Sequence, residues 1–162
     1  MARVLVSEEI SDKGLDLLRE AGHEVDVQIG LDDAGLAAAI VGAQAIIIRS
    51  ATTVSAELLS AGTDLKIVGR AGIGLDNVDV DAATERNVLV ANAPFSNAIT
   101  AAEHTMAMLL AQARNIAHAH AALVEGRWER SKWNGVELAE KTLGIVGLGR
   151  IGLCLRVRGR FA

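Results

Sequence analysis

Short apolar runs recur through the first part of the chain and are separated by segments that mix polar and apolar residues. A run of four to eight apolar residues is typical of a buried strand, and strict alternation is typical of a half-buried one. These patterns predict five strands, at residues 3–6, 25–29, 45–48, 65–68 and 88–91. Sequence patterning alone thus indicates a sheet built from short strands.

The segments between these strands have the features of short helices. Ser11, Ser55 and either Asp32 or Asp33 are typical N-cap residues, and Gly22 suits a helix end. We expect helices at residues 14–21, 34–41, 56–60 and 80–85. Buried strands that alternate with helices form βαβ units, so this part is predicted to be a doubly wound, flavodoxin-like α/β layer with a parallel sheet.

After Pro94 the pattern changes. Residues 100–124 are rich in Ala and predict one long helix, with Met106, Leu109 and Leu110 on one apolar face. A polar, irregular stretch follows, and residues 142–146 predict a new strand that runs into a glycine-rich turn. We therefore divide the chain into residues 1–97 and residues 98–162, the second part being the first helix and strand of an incomplete Rossmann domain.

Composition and charge narrow the class of protein. The chain has 162 residues, a net charge of −4 and 51% apolar residues. This charge argues against a nucleic-acid partner, which needs clustered basic residues on one surface. The apolar runs are too short to span a bilayer and the N-terminus has no signal-peptide pattern, so we expect a cytoplasmic protein. The single Cys154 allows no intrachain disulfide, and no metal site is expected.

The strongest local motif is a glycine pattern near the end of the chain. Gly147, Gly149 and Gly152 fit G-x-G-x-x-G after a predicted strand. In a dinucleotide-binding turn the first glycine allows the tight turn, the second admits the pyrophosphate, and the third lets the helix pack closely. The motif favours binding of a dinucleotide cofactor. The alternative is a glycine-rich turn between a strand and a helix that binds no ligand.

Two arginines end neighbouring predicted strands. Arg49 and Arg70 both lie at carboxyl ends, the edge where ligands bind in open α/β sheets. Two guanidiniums at one edge suit a carboxylate or a phosphate, and the glycines near Gly72 let backbone N–H groups turn toward an anion. The alternative is that both arginines are surface residues paired with Asp64 or Asp76.

Four longer stretches carry a resemblance to a known family. They are "RSATTVSAELL", "LKIVGRAGIGLDNVDVDAATERNVLVANAP", "SNAITAAEHTMAMLLAQAR" and "GRWERSKWNGVELAEKTLGIVGLGRIG". Together they resemble the D-isomer-specific 2-hydroxyacid dehydrogenases, and in particular the branch that oxidises 3-phosphoglycerate in serine biosynthesis. The resemblance covers residues 3–152. It implies hydride transfer from C2 of 3-phospho-D-glycerate to NAD, giving 3-phosphohydroxypyruvate, and a homo-oligomer for the full-length protein.

The same resemblance implies roles for both parts of the chain. Residues 1–97 are expected to be the N-terminal part of the substrate-binding domain, and residues 98–162 the start of the NAD-binding domain. Substrate contacts are expected at Arg49, Arg70, Gly72, Ile73 and Asn97, with the backbone amides of Gly72 and Ile73 facing the substrate carboxylate. Cofactor contacts are expected at Gly147, Gly149, Arg150, Ile151 and Gly152.

The end of the chain departs from this resemblance. The ribose-binding acid, the catalytic arginine and the acid–histidine pair of the family would all follow Gly152, and residues 153–162 resemble no part of it. Leu153, Leu155 and Val157 alternate like a strand instead. We therefore expect a chain cut after the glycine motif, with no catalytic residues and no dehydrogenase activity of its own. An alternative is a non-enzymatic subunit that pairs with a full-length homologue through the helix at 100–124.

Overall fold

The computed structural model describes residues 1–158 of the chain. These residues form two compact units, one spanning Met1–Ser96 and one that begins at Asn97. The first unit is an α/β layer, and the described part of the second unit is helical with long irregular segments. Within the described residues, no helix combines the length and the apolar character needed to cross a bilayer.

The first unit is built on a five-stranded sheet in which all strands are parallel. Its order is β2-β1-β3-β4-β5, the flavodoxin-like arrangement, whose topological switch lies between β1 and β3. The predicted α/β fold class is therefore confirmed. The strands are β1 Arg3–Val6, β2 Glu24–Val27, β3 Ala45–Ile48, β4 Ile67–Arg70 and β5 Leu89–Asn92.

Four short helices connect these strands: α1 Asp12–Glu20, α2 Asp33–Ala39, α3 Ala56–Ala61 and α4 Val80–Glu85. Three of them are capped as N-cap chemistry requires, since Asp32, Ser55 and Asp79 accept bonds from backbone N–H groups three residues on. Ser11 occupies the N-cap position of α1, but its side chain makes no capping bond. Gly22 ends the turn after α1 with a φ of 81°, a conformation that favours glycine.

The core of the first unit consists of aliphatic side chains on both faces of the sheet. Leu5, Ile46, Ile48 and Val68 on the central strands are fully buried, and Ile40 packs against them from the end of α2. This burial explains why β1 and β3 read as continuous apolar runs, because central parallel strands face apolar partners on both sides. The residues that follow each strand are positioned by this buried, close-packed centre.

The long helix predicted at residues 100–124 is wrong in one respect, because the structure contains two helices there. Helix α5 spans Ala98–Ala113 and α6 spans Ile116–Val124. Between them Asn115 has a φ of 51°, and its Nδ2 donates to the Asn134 carbonyl at 2.8 Å. The Val136 N–H also donates to the Ala113 carbonyl at 2.7 Å. A returning loop therefore binds the Ala113 carbonyl, which a continuous helix would have used for the N–H group four residues on.

The strand predicted at residues 142–146 is also wrong, because these residues form no strand in the structure. Among the described residues no second sheet exists with which this segment could pair, and an unpaired strand is not stable in water. The alternating pattern in residues 153–157 resembles a strand, but these residues form no strand in the structure. These residues belong to helix α7, Arg150–Arg158, and residues 159–162 lie outside the described part of the chain.

Candidate functional site

An open groove of about 950 Å³ lies at the carboxyl edge of the sheet in the first unit. Helix α1 forms one wall, and residues that end or follow β3, β4 and β5 form the floor. Arg49, Arg70 and Asn92 all line this groove. The parallel topology thus brings together two arginines that are distant in sequence, at the edge where α/β sheets bind ligands.

The Arg49 side chain is exposed at one side of the groove. Its guanidinium makes one long hydrogen bond, from Nη1 to the Glu9 carbonyl at 3.4 Å. Among the described residues no ion pair joins Arg49 or Arg70 to Asp64 or Asp76, so the alternative of two internally paired surface arginines has no support. Most donors of this guanidinium therefore have no protein acceptor among the described residues.

Glu8 holds the backbone of the loop that carries Arg49. Its Oε1 accepts from the N–H groups of Arg49 at 2.7 Å and Thr52 at 2.9 Å, and its Oε2 accepts from Ala51 at 3.1 Å. Burial raises the pKa of Glu8, but the three backbone donors together with the Thr52 hydroxyl outweigh it and hold that pKa below its ordinary value. The carboxylate is thus ionised and used within the protein.

Two further contacts tie the same loop to the rest of the unit. The Asn77 Nδ2 donates to the carbonyls of Arg49 at 2.8 Å and Thr52 at 2.6 Å. The Ser7 and Thr52 hydroxyls form a buried pair at 3.0 Å. The sequence reasoning missed Glu8, Asn77 and this hydroxyl pair. A polar "SEE" directly after buried strand β1 was the one signal that could have pointed to Glu8.

Arg70 lies at the other side of the groove floor and is partly buried. Its Nε atom is inaccessible to solvent and has no hydrogen-bond partner. The guanidinium folds back over Gly72, where an added Cβ would lie 1.7 Å from Nη1. Gly72 must therefore be glycine for Arg70 to keep this position. A buried donor without a protein acceptor is costly, and an anionic ligand would satisfy it.

The structure places Gly72 and Ile73 beside the groove rather than in its lining. The Gly72 N–H donates to the Arg70 carbonyl at 2.8 Å, and the Gly72 carbonyl accepts from Ala93 at 2.9 Å. The Ile73 carbonyl accepts from the Asn92 amide at 2.7 Å. The Gly72 amide is thus used internally in this structure, and a contact between these amides and a substrate carboxylate stays a prediction.

The remaining predicted sites belong to the second unit. Asn97 precedes helix α5, and its side chain makes no capping bond. Arg150 and Ile151 are exposed in the first turn of α7, where the backbone N–H groups of a helix point beyond its N-terminal end. Their contacts with substrate or cofactor stay predictions.

The backbone of the glycine turn has the features expected at the three positions of the G-x-G-x-x-G motif. Gly147 has a φ of 94°, which allows the tight turn, and a Cβ on Gly149 would meet nothing within 4 Å, which leaves the backbone open to a ligand. A Cβ on Gly152 would lie 2.1 Å from the Gly147 carbonyl, so only glycine lets α7 start this close to the turn. All three positions fit the roles that these glycines have in dinucleotide binding.

These observations first define a class: a flavodoxin-like α/β domain with a cationic groove at its carboxyl edge, followed along the chain by a dinucleotide-type glycine turn. Residues 4–142 match the family described as D-isomer specific 2-hydroxyacid dehydrogenase, catalytic domain. The match covers most of the chain. The chain therefore belongs to the D-isomer specific 2-hydroxyacid dehydrogenase family, as its sequence motifs predicted.

Relatives and solved structures agree with this assignment. The chain is 47% identical to D-3-phosphoglycerate dehydrogenase of Archaeoglobus fulgidus over 93% of its own length and 28% of that relative. A crystal structure of a Thermus thermophilus protein matches 96% of the chain and 52% of its own, with 36% identity and a TM-score of 0.86. A crystal structure of NAD⁺-bound 3-phosphoglycerate dehydrogenase in Entamoeba histolytica aligns with 97% of this chain and 50% of its own chain, with 27% identity and a TM-score of 0.78. The chain thus spans about a quarter of the curated relatives' length.

Proposed function

We propose that this protein takes part in NAD-dependent oxidation of 3-phospho-D-glycerate at its C2 hydroxyl, as the names of its relatives suggest. The observation that carries the proposal is the groove that Arg49 and Arg70 line without a carboxylate partner among the described residues. The substrate has a carboxylate and a phosphate, and each suits a guanidinium fork. The 3-phosphoglycerate branch of the family is therefore favoured over relatives that act on smaller, singly charged acids.

In the proposed reaction the C2–H bond breaks and its hydride leaves, while the C2 hydroxyl proton passes to a base and a ketone forms. NAD, when bound, supplies the hydride acceptor. Arg49 and Arg70 would hold the anionic groups of the substrate and so orient C2. The open backbone at Gly149 and the first turn of α7 would hold the cofactor pyrophosphate.

We also propose that the 162-residue chain alone does not catalyse this reaction. A dehydrogenase of this kind needs a base whose pKa lies near neutral pH to take the hydroxyl proton, and no histidine of the described residues lines the groove. The purified chain, incubated with NAD and 3-phosphoglycerate, should form no NADH, measured by absorbance. Steady NADH formation that depends on 3-phosphoglycerate would contradict this part of the proposal.

Substrate binding can be tested on the chain itself. We expect 3-phosphoglycerate to shift amide resonances around the groove in a saturable NMR titration, and glycerol to shift none. Arg49→Gln and Arg70→Gln should each weaken binding about tenfold or more, because each removes charge-assisted hydrogen bonds. Arg19→Gln is the matched control, since Arg19 lies on the surface of α1 and pairs with Asp16. Absence of saturable binding by the unaltered chain would refute the substrate assignment.

A second candidate function is a subunit that pairs with a full-length homologue through α5 and α6. It is favoured by exposed apolar side chains on these helices, including Ile99, Met108, Ile116, Leu123 and Val124. Where such side chains adjoin one another, they mark an interaction surface. Co-expression with a tagged homologue tests it: stoichiometric co-purification would support pairing, and a chain that elutes alone would exclude it. A homo-oligomer and a cytoplasmic location stay predictions.

A further inference from the structure

We infer that Glu8 is a positioning residue for Arg49: it holds the loop at residues 49–52 in the conformation that presents the Arg49 guanidinium to the groove. The inference rests on the proposed function, in which Arg49 contacts the substrate anion. Glu8 does not reach the groove as a ligand contact. It acts through the backbone of the loop that follows β3.

The first support is the number and direction of the bonds that Glu8 accepts. Three N–H groups of the loop, those of Arg49, Ala51 and Thr52, converge on the two carboxylate oxygens at 2.7 to 3.1 Å. Neighbouring N–H groups that converge in this way form a concave site for an anion. Here the anion is part of the protein, so an external anion cannot use this site and must be held by side chains.

The second support is that the loop is held from its other side as well. The Asn77 amide donates to the carbonyls of Arg49 and Thr52. Backbone bonds fix Asn77 in turn, since its carbonyl accepts from the Val54 N–H at 2.8 Å. Donors and acceptors of the same loop are thus satisfied by two side chains from different parts of the unit. The Arg49 backbone is thus held from both sides, through its N–H group and its carbonyl.

The third support is electrostatic. A carboxylate beside an anion-binding groove would ordinarily weaken binding through like-charge repulsion. Glu9, the next residue, lines the groove and has this disadvantage. Glu8 differs because three N–H dipoles compensate its charge. The two adjacent carboxylates therefore predict opposite effects when each is neutralised, and this difference separates positioning from charge.

The experiment measures the affinity of the chain for 3-phosphoglycerate by NMR titration in Glu8→Gln and in the matched control Glu9→Gln. The amide introduced by Glu8→Gln keeps one acceptor oxygen but points an NH₂ group at the loop amides. We expect Glu8→Gln to weaken binding about tenfold, the equivalent of one lost charge-assisted bond at Arg49. Glu9→Gln should raise affinity, because it removes a negative charge from the lining of the groove. Amide shifts of Arg49, Ala51 and Thr52 should change in Glu8→Gln and not in Glu9→Gln.

The outcomes separate the inference from the proposed function. If the unaltered chain binds and Glu8→Gln binds equally or more tightly, the positioning role is refuted and the proposed function stands. If the unaltered chain does not bind, the proposed substrate assignment fails. The inference is then judged by the Arg49 side-chain Nε–H resonance, which should broaden or shift in Glu8→Gln and stay unchanged in Glu9→Gln; an unchanged resonance in both variants refutes it.

A second variant covers the case in which Glu8→Gln does not fold. Asn77→Ala removes the two bonds to the loop carbonyls and leaves every charge in place, so electrostatic repulsion cannot explain its effect. We expect it to weaken 3-phosphoglycerate binding several-fold while the spectrum of strands β1 and β3 is retained. A folded Asn77→Ala chain with unchanged affinity would show that loop conformation does not control Arg49, and the inference would be wrong.

Discussion

Gly72 offers a test in which ligand binding and fold stability should respond in opposite directions. In the structure a Cβ at this position would lie 1.7 Å from Nη1 and 2.7 Å from Cζ of Arg70. Contacts of a real Cβ below 3.0 Å essentially do not occur, so the guanidinium must retreat by about 1.3 Å in Gly72→Ala. The groove would then lose one of its two cations from its present position.

The expected loss can be worked out from that displacement. A hydrogen bond to a charged group contributes about 1.5–3 kcal/mol, and a shift of more than about 1 Å breaks its geometry. Loss of one such bond corresponds to roughly 10- to 150-fold weaker 3-phosphoglycerate binding. Stability should not fall, because the group in the way is the end of a flexible side chain and Gly72 has no positive φ. Replacing glycine by alanine at such a site typically adds about 0.4–1 kcal/mol.

The assay pairs an NMR titration with 3-phosphoglycerate and a urea unfolding curve for each variant. Gly144→Ala is the control, because a Cβ there meets nothing within 4 Å and its φ is not positive. It reports the effect of alanine on the unfolded chain alone. Unchanged affinity in Gly72→Ala would mean that the position of Arg70 does not matter for binding. A large loss of stability would mean that Gly72 is required by the backbone, and the reasoning from the guanidinium would be refuted.

Three further predictions concern stability. The Glu8 pKa is raised by burial but lowered overall by three backbone N–H groups and the Thr52 hydroxyl. The stabilisation from the Glu8 carboxylate is therefore present above the unfolded-state pKa of 4.5 and is lost as pH falls through the lower folded-state pKa. Urea midpoints should therefore drop in that acid range, and less steeply in Glu8→Gln. Ile46→Ala, at a fully buried site on β3, should cost about 2–5 kcal/mol in the same assay. Asn115→Ala should reduce amide-exchange protection across Ile116–Val124 more than Asn115→Gly, because alanine tolerates a φ of 51° poorly; equal effects would contradict this.

The sheet shows which part of a fold hydropathy can predict. Strands β1 and β3 lie where the apolar runs placed them, because central parallel strands are apolar on both faces. Strand β4 was expected two residues too early. Leu65 is buried just before the strand, while Gly69 and Arg70 continue the ladder by pairing with Ile47 and Ile48. Neither glycine nor arginine favours a strand, so only their pairing with β3 shows that these two residues belong to β4.

The candidate site also contains residues that the sequence could predict and residues that it could not. Arg49 and Arg70 could be expected at one edge because the carboxyl ends of parallel strands meet there. Glu8 and Asn77 could not, because their roles depend on which strands are neighbours. Glu8 reaches the Arg49 loop only because β1 lies directly beside β3, at a sequence separation of 41 residues between Glu8 and Arg49. The local sequence around Glu8 does not show that β1 and β3 are neighbours in the sheet.

A third arginine in the same sheet shows what a structural arginine looks like in this protein. Arg3 begins β1, pairs with Asp26 at 2.7 Å, and donates to the carbonyls of Ala39 and Val41. Its hydrogen bond and charge also lower the Asp26 pKa, as expected for a satisfied ion pair. Arg70 has a buried Nε without an acceptor, although it ends a strand of the same sheet. The fold thus satisfies the cation at the amino edge internally, whereas Arg70 Nε at the carboxyl edge has no acceptor among the described residues.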